Sequence, residues 1–190
     1  GLAPWLSPLE ADSFIVAIPQ GEYPGPGGGS SWFYLTQDRT LWEEYDTRSV
    51  DHVVELAAAL GARHPVGKVF VLGFSQGASL AYMAGLRHPS RISGVLAIGG
   101  VLPEIDQPGS ILHAHHVADA RNLRVFIARG TADNAVRREA FISQRDFFLA
   151  NGYSVTTHEY DGGHWLTDDL LAQVRKWLRS QRGNAQPTVP

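Results

Sequence analysis

Apolar residues recur along this chain in two different rhythms. One is the short, largely apolar run: Phe14-Ile15-Val16-Ala17-Ile18, Val69-Phe70-Val71-Leu72, Gly94-Val95-Leu96-Ala97-Ile98, and Leu123 to Ala128, which Arg124 interrupts. Runs of this kind predict strands buried on both faces. The other is the helical stripe. Val50, Val53, Val54, Ala57 and Leu60 predict a helix over Asp46 to Leu60, with Gly61 as its C-cap and Pro65 as a block to continuation. Helices are also predicted over Ala78 to Arg87, Arg137 to Ala150, and Thr167 to Arg179. The last has Thr167 as N-cap and Asp168 and Asp169 in its first turn. Ala3 to Glu10 and Ile111 to Ala118 read as short helical pieces, Tyr153 to Tyr160 as an alternating strand, and the Gly- and Pro-rich Tyr23 to Ser31 as a loop.

Strands thus alternate with helices from Phe14 to Arg179. The fold class this predicts is α/β, with a mainly parallel sheet and helices on both faces. Residues 1–182 read as one domain and 183–190 as a mobile polar tail. The length, 190 residues, suffices for a real core, and 44% hydrophobic with 18% charged residues is a globular composition. A formal net charge of −3 gives no reason to expect nucleic acid or an acidic membrane surface as partner. The absence of cysteine excludes disulfides, thiolate metal sites and a cysteine nucleophile. No apolar run approaches the roughly 18 residues of a membrane span, and no signal-like segment opens the chain. The expectation is a cytoplasmic protein without stable membrane insertion; homo-oligomerisation is left open.

In a parallel α/β sheet, ligands bind beyond the carboxyl ends of the strands. Three polar groups fall there. Gly73-Phe74-Ser75-Gln76-Gly77 follows one strand and opens a helix. A Gly-x-Ser-x-Gly sequence in that setting is the nucleophile elbow of α/β-hydrolases, a sharp turn that lifts the serine hydroxyl above the sheet edge. Glycines let strand and helix approach closely, and the helix N-terminus offers free N–H groups to a developing negative charge. Asp133 follows the next-but-one strand, in Arg129-Gly130-Thr131-Ala132-Asp133, and His164 follows the last, in Asp161-Gly162-Gly163-His164. The order serine, acid, histidine is that of α/β-hydrolases. Ser75 is the expected nucleophile, His164 its base, and Asp133 the group that orients the imidazole.

Rival readings exist. Asp133 could be a turn residue only, and Asp161 is a second candidate acid, though too near His164 in sequence. His113, His115 and His116, with Asp119, form a loose metal-like cluster, but packed or solvated histidines are the better reading and no metal is expected. Gly25 to Ser30 lacks the strand and helix of a dinucleotide site, and Gly67-Lys68 lacks the Ser or Thr of a phosphate loop. Trp32 and Phe33 are candidates for the floor of an acyl pocket, and Trp165 lies beside the histidine.

These segments together resemble the carboxylesterase/phospholipase family, which includes acyl-protein thioesterases. The resemblance rests on Pro19-Gln20-Gly21, Ser31-Trp32-Phe33, Gly73 to Gly77, Leu86-Arg87-His88-Pro89, Gly99-Gly100-Val101-Leu102-Pro103, Gly130 to Val136 and Gly162-Gly163-His164. It implies a triad of Ser75, Asp133 and His164, the Gln76 N–H as one oxyanion donor, and Leu102 near the acyl pocket. It also implies a small-molecule ester substrate of short to medium chain, thioesters and lysophospholipids as related substrates, and no cofactor. Three departures stand out. Arg129 replaces the usual histidine before the acid loop, and Arg137 replaces the usual proline after it. The family also has strands before the segment matching Leu2-Ala3-Pro4. The expectation is therefore a sheet whose front is truncated or unrecorded, with a neighbour of the central strand Val69–Leu72, and the second oxyanion donor, supplied by residues outside this sequence. The alternative to a serine carboxylesterase is a non-catalytic binding protein on the same fold.

Overall fold

The computed structural model describes residues 2–34, 36 and 38–182. The tail expected at 183–190 lies outside the described residues. Contacts divide the chain into two compact units.

The first unit joins the two chain ends, up to Ile18 and from Leu166 onward. It holds α1 (Leu2–Leu6), a 3-10 turn (Ser7–Asp12) and α6 (Asp168–Ser180). Helix α6 begins where the Thr167 hydroxyl accepts the Leu170 N–H, and it buries Leu170, Leu171, Val174, Trp177 and Leu178 at helical spacing. Trp5 Nε1 donates to the Thr167 carbonyl at 3.0 Å. Asp12 receives Arg175 Nε at 2.7 Å and also pairs with Arg179. Those two guanidiniums hold the Asp12 carboxyl well below the usual carboxylate range.

Phe14 to Ile18, expected as a buried strand, has no sheet partner; Ile15 and Ile18 are 53% and 43% exposed. An apolar run becomes a strand only where another strand can pair its backbone groups, and no described segment does so here.

The second unit, Pro19–Trp165, carries the sheet. A small hairpin comes first, β1 (Tyr23–Pro24) against β2 (Ser30–Ser31), where the sequence predicted only a loop. Gly27 and Gly28 make its turn, with φ of 70° and 80°. Helix α2 (Arg39–Arg63) is longer than its stripe predicted. Asp38 caps it by accepting the Thr40 N–H, so the helix starts at Arg39, seven residues before the expected Asp46. It runs through Gly61 and stops at His64, whose extended backbone suits the residue before a proline.

Among the described residues the main sheet has four parallel strands: β3 (Phe70–Phe74), β4 (Gly94–Ile98), β5 (Arg124–Gly130) and β6 (Ser154–Tyr160), in that spatial order. Helices α3 (Gln76–Arg87), α4 (Ala114–Asp119) and α5 (Arg138–Ala150) connect them. Val95, Ala97, Val125 and Ile127 share one core with residues of α2, α3, α4 and α5. The alternate positions Leu96, Ile98, Phe126 and Ala128 are buried too, so these strands are apolar on both faces, as a parallel sheet requires.

The expectation for Val69–Leu72 was one neighbour at Gly94–Ile98 and a second supplied from outside this sequence; among the described residues β3 pairs with β4 alone and lies at the edge of the sheet. Phe70, Val71 and Leu72 are only partly buried, whereas all of β4 is buried. No helix among the described residues is long and apolar enough to cross a membrane.

The core depends on α5 meeting α3. Phe148 is fully buried, with Tyr82 stacked at 5.4 Å and Tyr153 edge-on at 5.1 Å. Truncation of Phe148 to alanine should therefore cost about 3–5 kcal/mol of unfolding free energy, read from urea denaturation. A loss below about 1 kcal/mol would mean that this contact does not support the core.

Candidate active site

Ser75 sits between the last residue of β3 and the first of α3 with φ 56° and ψ −118°. A non-glycine residue at positive φ is costly, so the surroundings must impose it. The Ser75 N–H donates to Ile98 O on β4 at 2.9 Å. A Cβ on Gly73 would lie 1.8 Å from Gly77 O, and one on Gly100 would lie 2.5 Å from Ser75 O. Glycine is thus obligatory at 73 and 100. Gly77 differs: a Cβ there would meet only Trp32 Nε1, at 3.9 Å.

The other two groups come from the loops after β5 and β6. A Cβ at Gly130 would lie 2.3 Å from the carbonyl oxygens of Gly162 and Gly163. The Thr131 and Ala132 N–H groups donate to Tyr160 O and Gly162 O, each at 2.8 Å. These bonds join the two loops directly. Across them, His164 Nδ1 lies 2.9 Å from Asp133 Oδ2, and His164 Nε2 lies 2.9 Å from Ser75 Oγ. Against an ionised Asp133, Nδ1 carries the proton and donates; Nε2 is left to accept the Ser75 hydroxyl. Phe74 packs along the imidazole at 4.7 Å.

Asp133 has a fully buried side chain. Burial opposes its charge, but the His164 hydrogen bond and the N–H groups of Val136 and Ala135 outweigh it, so the carboxyl lies below its ordinary range. Those N–H groups reach Oδ1 at 2.9 and 2.8 Å. Asp161, the rival acid, is exposed.

Gln76 supplies more than a backbone group. As the first residue of α3, it has an N–H with no intrahelical partner. Its side chain accepts from Trp32 N at 2.9 Å and Ser31 Oγ at 3.0 Å, and donates to Phe33 O at 2.7 Å. The segment Ser31–Phe33 is therefore tied to the serine turn. Ser49 on α2 donates to Trp32 O at 2.5 Å. Trp32 and Phe33 are partly buried and pack against the core. Leu102 is also partly buried, its N–H accepted by Gln144 Oε1 at 2.9 Å. Trp165 is 59% exposed, and its ring lies over Gly163, where a Cβ would come within 2.2 Å of it.

Three contributors were not identified in the sequence as structural parts: the Gln76 side chain, buried Gln144, and Arg129. Only Arg129 left a signal, as a departure from the family pattern. Arg137, the second departure, has φ −66°, the angle a proline would impose. His113 stacks on His115 and His116 at 5.7 and 5.6 Å, and those two lie tilted against each other at 3.9 Å. Among the described residues no group of three or more histidines and carboxylates has the geometry to hold a metal ion.

Comparison with known proteins follows the same line. The sequence pattern of the phospholipase/carboxylesterase family matches residues 5–181. A probable carboxylesterase of Oryza sativa subsp. japonica is 30% identical over 117 residues, covering 61% of this chain and 42% of that protein. Acyl-protein thioesterase 1 of Yarrowia lipolytica is 26% identical, covering 60% of this chain and 50% of that protein. The matches thus span half or less of these two relatives. The crystal structure of esterase PE8 superposes with a TM-score of 0.71 at 22% identity, over 92% of this chain and 83% of that one. At that identity the likeness concerns the fold.

A carboxyl whose folded pKa lies below its unfolded value stabilises the fold above the unfolded value, and that contribution is lost as pH falls through the folded one. For Asp133 the unfolded value is near 3.8. The difference in thermal midpoint between the natural chain and Asp133→Asn should be largest at neutral pH and should shrink below about pH 4. A difference that stays constant down to about pH 2 would contradict the ionised, hydrogen-bonded carboxylate.

Proposed function

Because this chain belongs to the phospholipase/carboxylesterase family, we propose that it is a serine hydrolase of carboxylic esters, acting through an acyl-enzyme on Ser75. The observation that carries the reading is the unbroken hydrogen-bond path from Ser75 Oγ through His164 to Asp133, 2.9 Å at each step, with Ser75 on a strained turn.

In this reading Ser75 Oγ attacks the acyl carbonyl while His164 Nε2 takes its proton. Asp133 holds the Nδ1–H tautomer and stabilises the imidazolium that forms. The oxyanion lies against the Gln76 N–H at the start of α3; one such donor contributes about 10²–10³ in kcat. The tetrahedral intermediate collapses, the C–O bond to the leaving alcohol breaks, and His164 returns the proton to that alcohol. Water then attacks the acyl-serine with His164 again as base, releasing the acid and free Ser75.

Substrate recognition falls to the apolar residues tied to the turn. Trp32 and Phe33, held by Gln76, and Leu102, held by Gln144, line the acyl side. Trp165 stands exposed beside His164. Short- to medium-chain carboxylic esters suit such a site, and thioesters and lysophospholipids offer the same acyl chemistry. Nothing in this scheme calls for a cofactor.

Ser75→Ala should lower kcat on a p-nitrophenyl short-chain ester by orders of magnitude while leaving the far-UV circular dichroism unchanged. Retention of more than about a tenth of the activity would refute the Ser75 mechanism.

A further inference from the structure

We infer that Arg129 is a positioning residue for Asp133: its buried guanidinium fixes the turn that presents the acid to His164. The inference rests on the serine-hydrolase reading and adds a residue to it.

Arg129 lies near the end of β5 and is 4% exposed. Its Nη2 donates to Asp133 O at 3.1 Å and its Nε to Val136 O at 3.2 Å. Those two carbonyls bracket the acid turn. The same turn sends the Ala135 and Val136 N–H groups to Asp133 Oδ1, at 2.8 and 2.9 Å. Val136 is therefore held on both sides of its residue, its carbonyl by Arg129 and its N–H by the carboxylate. Asp133 is held likewise, its backbone by Arg129 and its carboxylate by the turn and by His164. The rotation left to the carboxylate about its own side chain is thus set by groups that Arg129 anchors.

A buried cation is a poor way to add stability. Desolvation offsets most of what the pairing returns, and an apolar residue of similar size often does as well. What an arginine supplies is a planar fork of donors at fixed angles. Here two prongs go to the acid turn, and Nη1 goes to Glu159 Oε1 on β6 at 3.1 Å. Glu159 balances the charge. It is also held from outside by Arg138 at the start of α5, at 3.2 Å. The Arg138 hydrogen bond is the largest influence keeping Glu159 below its usual range; burial opposes it, and the Arg129 bond adds to it. The fork therefore stands between an anchored carboxylate and the acid turn. A lysine at 129 would keep the charge pair with Glu159 but has one nitrogen, which cannot reproduce both carbonyl bonds in this geometry.

The test compares the full natural chain with Arg129→Lys and with Arg138→Gln on a p-nitrophenyl short-chain ester, each normalised to folded protein by circular dichroism. Arg129→Lys should lose about 10- to 100-fold in kcat, as expected of a misplaced catalytic group, with KM changed less than about twofold. Arg138→Gln should keep both constants. Should Arg129→Lys fail to fold, Arg129→Gln, which removes the buried charge and leaves Glu159 with Arg138, should show the same loss in kcat. A folded Arg129 variant with the natural kcat, or with its loss in KM alone, would overturn the inference and leave the serine mechanism standing. An inactive natural chain would overturn both.

Discussion

The turn at Ser75 is held at φ 56° by contacts that leave it no alternative. Gly73 lies against the Gly77 carbonyl, Gly100 lies against the Ser75 carbonyl, and the Ser75 N–H is bonded to the end of β4. The strain is local, and it rests on the parallel pairing of β3 with the fully buried β4. Everything proposed for this protein depends on that geometry. It aims Oγ out of the sheet edge, starts α3 with a free N–H at Gln76, and puts the Gln76 side chain where it can tie down Ser31–Phe33. A relaxed backbone at residue 75 would move all three together.

The other half of the site has a different physical basis. Acid and base come from two loops that are joined by backbone hydrogen bonds as well as by the Asp133–His164 pair itself. Gly130 allows the approach, and the Thr131 and Ala132 N–H groups complete it. Such contact gives a rigid frame but does not orient a carboxylate. That orientation comes from the N–H groups of Ala135 and Val136, behind which stands the Arg129 fork. Elbow and loops meet through the His164 Nε2–Ser75 Oγ hydrogen bond and the packing of Phe74 along the imidazole.

Much of this was legible in the sequence because the signals were local. Apolar runs marked β3, β4 and β5, alternation marked β6, and polar residues in glycine-containing loops just beyond the strands pointed to Ser75, Asp133 and His164. Signals that depend on distant partners were misread. Phe14–Ile18 has the composition of a strand but no partner to pair with. Helix α2 starts at Arg39, seven residues before the expected Asp46, because Asp38 caps it there, and it passes Gly61 to end just before Pro65, the block that the sequence does show. The side-chain roles of Gln76, Gln144 and Arg129 were not legible, because each joins loops that only the fold brings together.

The central claim is that the chain of contacts from Asp133 to Ser75 activates the hydroxyl. A fluorophosphonate probe tests this most directly, because it reports serine reactivity whatever the natural substrate. The measurement is the rate of labelling of the natural chain and of Asp133→Asn, with the modified peptide identified by mass spectrometry. The natural chain should carry stoichiometric label on Ser75, and Asp133→Asn, whose amide favours the wrong imidazole tautomer, should label slower by orders of magnitude. Label on another residue, no label at all, or equal rates in the two proteins would contradict the claim.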